Sequence, residues 1–258
     1  FEGEYLNGKR NGKGKEYNLN GKLEFEGEYL NGKKWNGKGY DKNNNIIYIL
    51  KDGKGYVKEY YYDDNLEFEG EYLNGELNGK GREFNIFINK LEIEGEYLKG
   101  KRNGKVKEYY DGELIFEGEY LNGFKRKGRE YINGKLEYEG EYFNNRKWKG
   151  KGYDENSKII YELVNGNGHI KEYYYDGKLI FEGEYLNGKR WNGKGKYYLI
   201  GILKYEGEYL NGERNGKGKE YAYDGKIEFE GEYLNGKRWN GKGKGKEYYY
   251  KGKLAFEG

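Results

Sequence analysis

The sequence predicts an all-β fold: one antiparallel meander of about eleven β-hairpins following one another along the chain. Three observations predict it. One short run of residues returns at intervals of 20 to 27 positions across the 258-residue chain. Within each return, apolar and charged residues alternate with period two, as in a strand with one buried face. In most returns the alternation is broken by Asn-Gly, the strongest short-range hairpin signal.

The first copy reads Phe1-Glu2-Gly3-Glu4-Tyr5-Leu6-Asn7-Gly8-Lys9-Arg10-Asn11-Gly12-Lys13-Gly14-Lys15-Glu16-Tyr17. Clear copies open at Phe1, Phe25, Phe68, Ile93, Phe116, Tyr138, Phe181, Tyr205 and Phe229, and a partial unit opens at Phe256. Two intervals are about double the rest, and each holds a worn copy, opening at Tyr48 and Tyr161. The expected organisation is therefore one continuous array over residues 1–258. No initiator Met is present, and the chain begins and ends at the same point of the repeat, so a segment of a longer array is expected. A shift of 113 residues lays Lys34-Trp35-Asn36-Gly37-Lys38-Gly39-Tyr40-Asp41 on Lys147-Trp148-Lys149-Gly150-Lys151-Gly152-Tyr153-Asp154 and Tyr48 on Tyr161, which implies duplication of a five-unit block.

In Phe25-Glu26-Gly27-Glu28-Tyr29-Leu30 the rings and the glycine share one face and the two glutamates the other. Asn31-Gly32 turns the chain. In the first unit the return strand places Gly12 and Gly14 on one face, Lys13 and Lys15 on the other. A second turn leads into the next unit, Asn20-Gly21 here and Asp111-Gly112 or Asp176-Gly177 elsewhere. Glu-x-Glu facing Lys-x-Lys makes one face a ladder of opposite charges, each pair contributing ~0.2–1 kcal/mol. On the other face glycine removes the Cβ that would hold the rings off the backbone. A lone hairpin is marginal in water, so stability must come from neighbouring units. At ~4.8 Å per strand the array would span on the order of 100 Å.

The pattern aromatic-x-Gly-x-aromatic-x-x-Gly-x-x-x-Gly-x-Gly, carried by Phe1, Gly3, Tyr5, Gly8, Gly12 and Gly14, resembles the MORN repeat. The histidine that many such units carry before the third glycine is asparagine here, at Asn11, Asn78, Asn103 and Asn215. The worn copies lack the Gly-x-x-x-Gly spacer and read Asp52-Gly53-Lys54-Gly55 and Asn165-Gly166-Asn167-Gly168. The resemblance implies an elongated, twisted, trough-shaped single-layer sheet and contact with phosphoinositide-bearing membrane. It also implies, for some members, a kinase or methyltransferase domain elsewhere in the chain.

Hydrophobic residues make 34% of the chain and charged residues 36%, a balance that would suggest disorder but for 33 Tyr, 11 Phe and 4 Trp. A thin aromatic seam is expected in place of an aliphatic core. Cysteine is absent, which removes disulfides and thiolate metal sites. No apolar run approaches 18 residues and no signal peptide opens the sequence, leaving the compartment undetermined and cytoplasmic by default. The net charge of +3 lacks the basic excess of a nucleic-acid binder. Chemistry has little material: no Thr, one Ser (Ser157), one His (His169), and Glu-x-Glu pairs that recur beside Lys as a structural ladder would. No helix follows Gly-Lys-Gly-Lys to complete a phosphate loop, and Asp63-Asp64-Asn65 is too short for a calcium loop. No catalytic residue, metal site or cofactor is expected.

Three features are candidates for interaction. Trp35, Trp148, Trp191 and Trp239 each sit in Lys-[Lys/Arg]-Trp-[Asn/Lys]-Gly, one residue longer than the ordinary turn, and all fall at one sheet edge. They are either anchors for a partner or rings folded over their own turns. The same edge carries Lys9-Arg10, Lys101-Arg102, Lys189-Arg190 and Lys237-Arg238, either a basic margin for an anionic surface or a solvated face. Tyr5, Tyr29, Tyr72, Tyr97, Tyr120, Tyr142, Tyr185, Tyr209 and Tyr233 form an aromatic row that is either core or an open trough for a partner. Proline is absent and neither end carries a polar cap, so the strands around Phe1 and Phe256 are cut edges or sticky ends. The expected function is a non-catalytic scaffold that self-associates into filaments or lateral oligomers, or presents repeated surfaces to other proteins. The alternative is a module tethered to anionic phospholipid through the Lys/Arg edge. A third reading is an accessory module to a catalytic domain outside this stretch.

Overall fold

The structure is a computed structural model that describes residues 1–61, 65–174, 177–199, 201–243, 246–249 and 253–257. Asp63 and Asp64 of the short acidic run and Asp176 of one expected turn lie outside the described residues. The chain divides into two compact units, Phe1–Arg129 and Glu130–Gly258.

Asn-Gly closes the hairpins because both turn residues need positive φ, and Asn and Gly tolerate it best. Asn7 has φ 51° and Gly8 φ 74°, and the same pairing of signs recurs at Asn31-Gly32, Asn74-Gly75 and Asn187-Gly188. In the first unit these turns join β1 (Glu2–Leu6), β2 (Lys9–Tyr17), β3 (Leu23–Leu30), β4 (Lys33–Tyr40) and β5 (Ile46–Leu50) into one antiparallel sheet in chain order. A second run in chain order holds β6 (Gly55–Tyr60), β7 (Leu66–Leu73), β8 (Glu76–Asn85), β9 (Lys90–Leu98), β10 (Lys101–Tyr110) and β11 (Glu113–Leu121). β12 (Phe124–Ile132) carries the division between the units. In the second unit β13 (Lys135–Phe143), β14 (Arg146–Tyr153) and β15 (Ile159–Leu163) run in order. A seven-stranded sheet follows: β16 (Gly168–Tyr173), β17 (Leu179–Leu186), β18 (Lys189–Leu199), β19 (Ile202–Leu210), β20 (Glu213–Tyr221), β21 (Ile227–Leu234) and β22 (Lys237–Gly243). β23 (Lys246–Tyr249) pairs with β24 (Lys253–Glu257). The fold is all-β and antiparallel, a hairpin array.

The ladder is interrupted at both worn copies. β5 and β6 are joined by one bridge, Lys51↔Lys54, and β15 and β16 by Val164↔Asn167. The opening arm from Tyr48 to its turn is two residues shorter than the arm from Phe25 to Asn31. Leu50 stands across from Gly37 as Tyr209 stands across from Gly193, and Val57 across from Gly70 as Gly14 does from Gly27. Bulky aliphatics thus replace a tyrosine and a glycine, and they make a local core: Phe25, Tyr29, Tyr48, Leu50 and Val57 pack together with Phe1, Ile47 and Tyr72 against them. An aliphatic element therefore joins the aromatic seam where the ladder fails.

Elsewhere the opening ring lies over a pair of glycines on adjacent strands. Gly27 pairs with Gly37 beneath Phe25, Gly140 with Gly150 beneath Tyr138, and Gly207 with Gly218 beneath Tyr205. Where the return strand supplies Val106 in place of glycine, the opening residue is Ile93 in place of a ring. A Cβ on Gly27 would lie 2.6 Å from Gly37 Cα and closer still to the Asn36 carbonyl oxygen. Those are backbone atoms that no rotamer change can move. Gly27→Ala is therefore expected to cost about 2 kcal/mol, read as a lower denaturant midpoint at unchanged slope.

The opposite face is the charge ladder. Lys15 is paired across from Glu26 with Nζ–Oε1 2.9 Å, Lys171 meets Glu182 at 3.1 Å and Lys219 meets Glu230 at 3.0 Å. These pairs are exposed, so each adds little stability; their clearer effect is to penalise a one-residue slip that would put like charges opposite each other.

Candidate interaction surfaces

The tyrosine row faces inward and is consumed by the sheet. Tyr29, Tyr97, Tyr120, Tyr142 and Tyr233 are buried, Tyr72, Tyr185 and Tyr209 half-buried, and Tyr5 on β1 is 60% exposed. Edge-to-face contacts fix the rings: Tyr29 sits 5.1 Å from Phe1 and 5.5 Å from Phe25, Tyr233 5.2 Å from Tyr205 and 5.3 Å from Phe229. Three of the hydroxyls donate to a glutamate on the neighbouring return strand, Tyr97 to Glu83 at 2.6 Å, Tyr142 to Glu130 at 2.9 Å and Tyr120 to Glu108. Burial, with the facing carboxylates in support, raises the pKa of Tyr29, Tyr97, Tyr120, Tyr142 and Tyr161 well above the ordinary tyrosine value.

The same glutamates receive the second basic residue of each turn. Arg10 reaches Glu16 at 2.5 Å, Arg102 Glu83 at 2.7 Å, Arg190 Glu172 at 2.6 Å, and Arg238 pairs with Glu220. Each of three guanidiniums also lies over an opening ring, Arg10 over Phe1 at 4.2 Å, Arg190 over Phe181 at 5.0 Å and Arg238 over Phe229 at 5.0 Å. The first residue of each pair, Lys9, Lys101, Lys189 and Lys237, is exposed at the margin, as is Arg238, whereas Arg10, Arg102 and Arg190 are half-buried. The basic edge is thus weaker than the sequence suggests. The alternation held the signal: Arg10 falls opposite inward Tyr5 and Lys9 opposite outward Leu6. The inward glutamates Glu16, Glu83, Glu108, Glu130, Glu172 and Glu220 were not anticipated, although the recurring Lys-Glu-Tyr keeps them in phase with the rings.

In the second unit this motif is buried most deeply. Lys147 Nζ lies 2.5 Å from Glu137 and 3.0 Å from Glu130, 4.7 Å over the Tyr138 ring, while the Tyr161 hydroxyl donates to Glu137 at 3.1 Å. Burial raises the Glu137 carboxyl pKa against the pull of Lys147; burial also opposes the Lys147 charge, but Glu130 and Glu137 outweigh it and hold the ammonium well above its ordinary value.

The extra residue in the Trp motif does not lengthen the turn. Leu30 still pairs with Lys33, and the irregularity falls between Glu28↔Asn36 and Tyr29↔Lys34, so Trp35 is the bulged residue. The rings of Trp35, Trp148 and Trp191 reach forward to the next turn. A Cβ on Gly53 would lie 2.9 Å from Trp35, one on Gly166 2.8 Å from Trp148, and one on Gly212 3.9 Å from Trp191. Trp148 also lies 5.1 Å from Phe143 of its own hairpin. Trp35, Trp148 and Trp191 are half-buried, and Trp239 is 71% exposed.

Backbone bonds connect the same turns. Gly32 N–H donates to the Arg10 carbonyl at 2.8 Å, Gly53 to Trp35 at 2.8 Å, Gly123 to Arg102 at 2.8 Å and Gly212 to Trp191 at 2.9 Å. The asparagine that stands in the histidine position supplies a second bond: Asn11 Oδ1 accepts from Asn31 N–H at 3.2 Å, Asn36 from Asp52 at 2.7 Å and Asn192 from Asn211 at 3.0 Å. An exposed apolar residue precedes most of these turns: Leu6, Leu30, Leu73, Leu98 and Leu121 in the first unit, Phe143, Leu186, Leu210 and Leu234 in the second, each 36 to 57% exposed.

In the second unit the charged face forms a groove of about 690 Å³ lined by Glu182, Lys194, Lys196, Glu206, Lys217 and Lys219 among others. Its charges alternate and select no one ligand charge. Among the described residues no group of three or more His, Cys, Asp or Glu is placed to hold a metal ion. Among the described residues no helix is long and apolar enough to cross a membrane.

No curated protein matches the chain. The family model of the MORN repeat matches residues 1–22, 68–84, 94–113 and 205–227. In those four segments the chain carries MORN repeats, the hairpins opening at Phe1, Phe68 and Tyr205 among them.

Proposed function

We propose that this chain is a non-catalytic scaffold whose units present one interaction position each, and that copies associate side by side along the Asn-Gly turn edge. The observation that carries this reading is the row of outward leucines. Tyrosines that had been candidates for a trough are used inside the sheet, whereas Leu6, Leu30, Leu73, Leu98 and Leu121 stay exposed at the matching position of successive hairpins. A second copy carries the same spacing, so its leucines meet these in register, and many weak contacts add. Size-exclusion chromatography with light scattering over a dilution series is expected to show mass rising with concentration. Changing Leu30, Leu73, Leu98 and Leu121 together to Ser should abolish that rise and leave the circular dichroism unchanged. A monodisperse monomer at every concentration removes the assembly reading.

A second reading is favoured by the register of this edge. Exposed Leu6, Leu98, Leu186 and Leu234 each pair with an exposed lysine, Lys9, Lys101, Lys189 and Lys237, so apolar and cationic groups alternate along it. That arrangement suits the surface of an anionic bilayer. Vesicles of phosphatidylserine distinguish the two: membrane binding weakens steeply with salt, whereas leucine-driven assembly persists.

A further inference from the structure

The two worn copies allow an internal comparison. Residues 46–60 and 159–173 occupy the same place in the repeat, and their inward residues agree in kind: Tyr48 with Tyr161, Leu50 with Leu163, Val57 with Ile170, all buried. Their outward residues do not. The first corner presents Ile49, Lys51, Lys54 and Tyr56; the second presents Glu162, Val164, Asn167 and His169. The fold therefore does not demand what the first corner shows.

These residues form one contiguous outer surface. Ile49 and Lys51 alternate along one arm, Lys51 bridges to Lys54, Tyr56 follows on the other arm, and Lys38 lies across from Ile49. Ile49 is 60% and Tyr56 47% exposed, and all three lysines are exposed. In the second corner Lys151 pairs with Glu162 at 3.7 Å. In the first, that glutamate is Ile49, Glu26 is taken by Lys15 at 2.9 Å, and no acidic side chain among the described residues pairs with Lys38, Lys51 or Lys54. The nearby acids are Glu26 across from Lys38, Asp52 in the turn, Glu69, whose carboxylate interacts with the Tyr56 hydroxyl, and Glu71 across from Tyr56, whose carboxylate accepts from Lys80 N–H at 3.2 Å. In the first corner Lys51 and Lys54 thus face each other where the ladder elsewhere sets Lys against Glu, and Ile49 and Tyr56 expose apolar surface beside them.

We propose that the surface formed by Lys38, Ile49, Lys51, Lys54 and Tyr56 docks an extended acidic peptide of a partner protein. Ile49 and Lys51 lie two residues apart on one face, the same period at which an extended peptide presents its own side chains, so acidic and apolar residues at alternate same-face positions match lysine and Ile/Tyr in turn. The unpaired lysines select acidic over basic partners. Lys51 precedes the Asp52-Gly53 turn, the position leucine holds in neighbouring units, so the site adjoins the leucine edge; peptide binding to it does not depend on self-association.

Calorimetric titration of the full chain with the peptide Glu-Ser-Leu-Ser-Glu-Ser-Leu-Ser tests it. One peptide per chain is expected to bind, and the same peptide with Lys for Glu is not. The variant I49E/K51V/K54N/Y56H gives the first corner the outward residues of the second, which the fold already accommodates, and should lower affinity at least about tenfold. The reverse variant E162I/V164K/N167K/H169Y should raise the stoichiometry to two. Absence of binding to the wild-type chain, binding unchanged in the first variant, or equal binding of the lysine peptide overturns the proposal. Binding to phosphatidylserine vesicles without peptide binding assigns the surface to lipid and overturns it as well.

Discussion

Above pH 10 the fold is expected to come apart in one steep step. Burial, the largest cause, raises the pKa of Tyr29, Tyr72, Tyr97, Tyr120, Tyr138, Tyr142, Tyr161, Tyr205 and Tyr233, and pushes the more exposed Tyr109 and Tyr221 up to about 12. For a group whose folded pKa lies above its unfolded value, the stabilising contribution is complete below the unfolded value, about 10 for tyrosine. It is lost as pH rises through the folded one. In that window the unfolded chain binds fewer protons than the native chain, so stability falls with pH. Each such tyrosine removes about 1.4 kcal/mol per pH unit, and several act together. Tyrosinate absorbance and far-ultraviolet circular dichroism should therefore change at the same pH. Smooth titration of the tyrosines with an intact sheet would show that the row is solvated.

Lys147→Met is expected to destabilise the second unit by about 3–5 kcal/mol at neutral pH, because it leaves a buried carboxylate without its cation. Glu137 is 6% exposed, and the Tyr161 hydroxyl would remain as its hydrogen-bond donor. With the pull of Lys147 gone, the Glu137 pKa rises further, and the variant regains stability as pH falls through that raised value and the carboxyl takes a proton. Denaturant unfolding at several pH values reads this as a deficit that shrinks toward acid. Adding Glu137→Gln should restore most of the loss at neutral pH. A deficit independent of pH, with no rescue, would mean the pair is solvated.

The hairpins, their turns and the charge ladder were legible because each rests on local rules: period-two alternation in Phe25 to Leu30, Asn-Gly at Asn31, and Lys15 facing Glu26. The interruption at the worn copies was half legible. The missing spacer at Asp52 to Gly55 was visible, but that Leu50 and Val57 would replace the ladder with a small core depends on which strands those residues face. The functional edge was read least well. Lys9 and Arg10 looked like one basic pair until their register assigned Arg10 to the ring face. Trp35 looked like part of a longer turn, whereas it is a bulge residue resting on a glycine 18 positions later. Long-range neighbours of that kind leave no local trace.

The bonds from each turn to the one before it bear on how such a chain changes over time. Arg10 to Gly32 and Trp35 to Gly53 each link a unit to its successor through atoms that nearly every unit possesses. A recombination event that adds or removes whole repeats recreates the same junction, and the new neighbours find their partners already in place. A single-residue insertion inside a strand has no such protection: unless a bulge absorbs it, as at Trp35, it reverses the faces of everything up to the next turn. Copy number is thus the tolerated direction of variation for this chain, and the internal repeat at a shift of 113 residues is what such an event would leave.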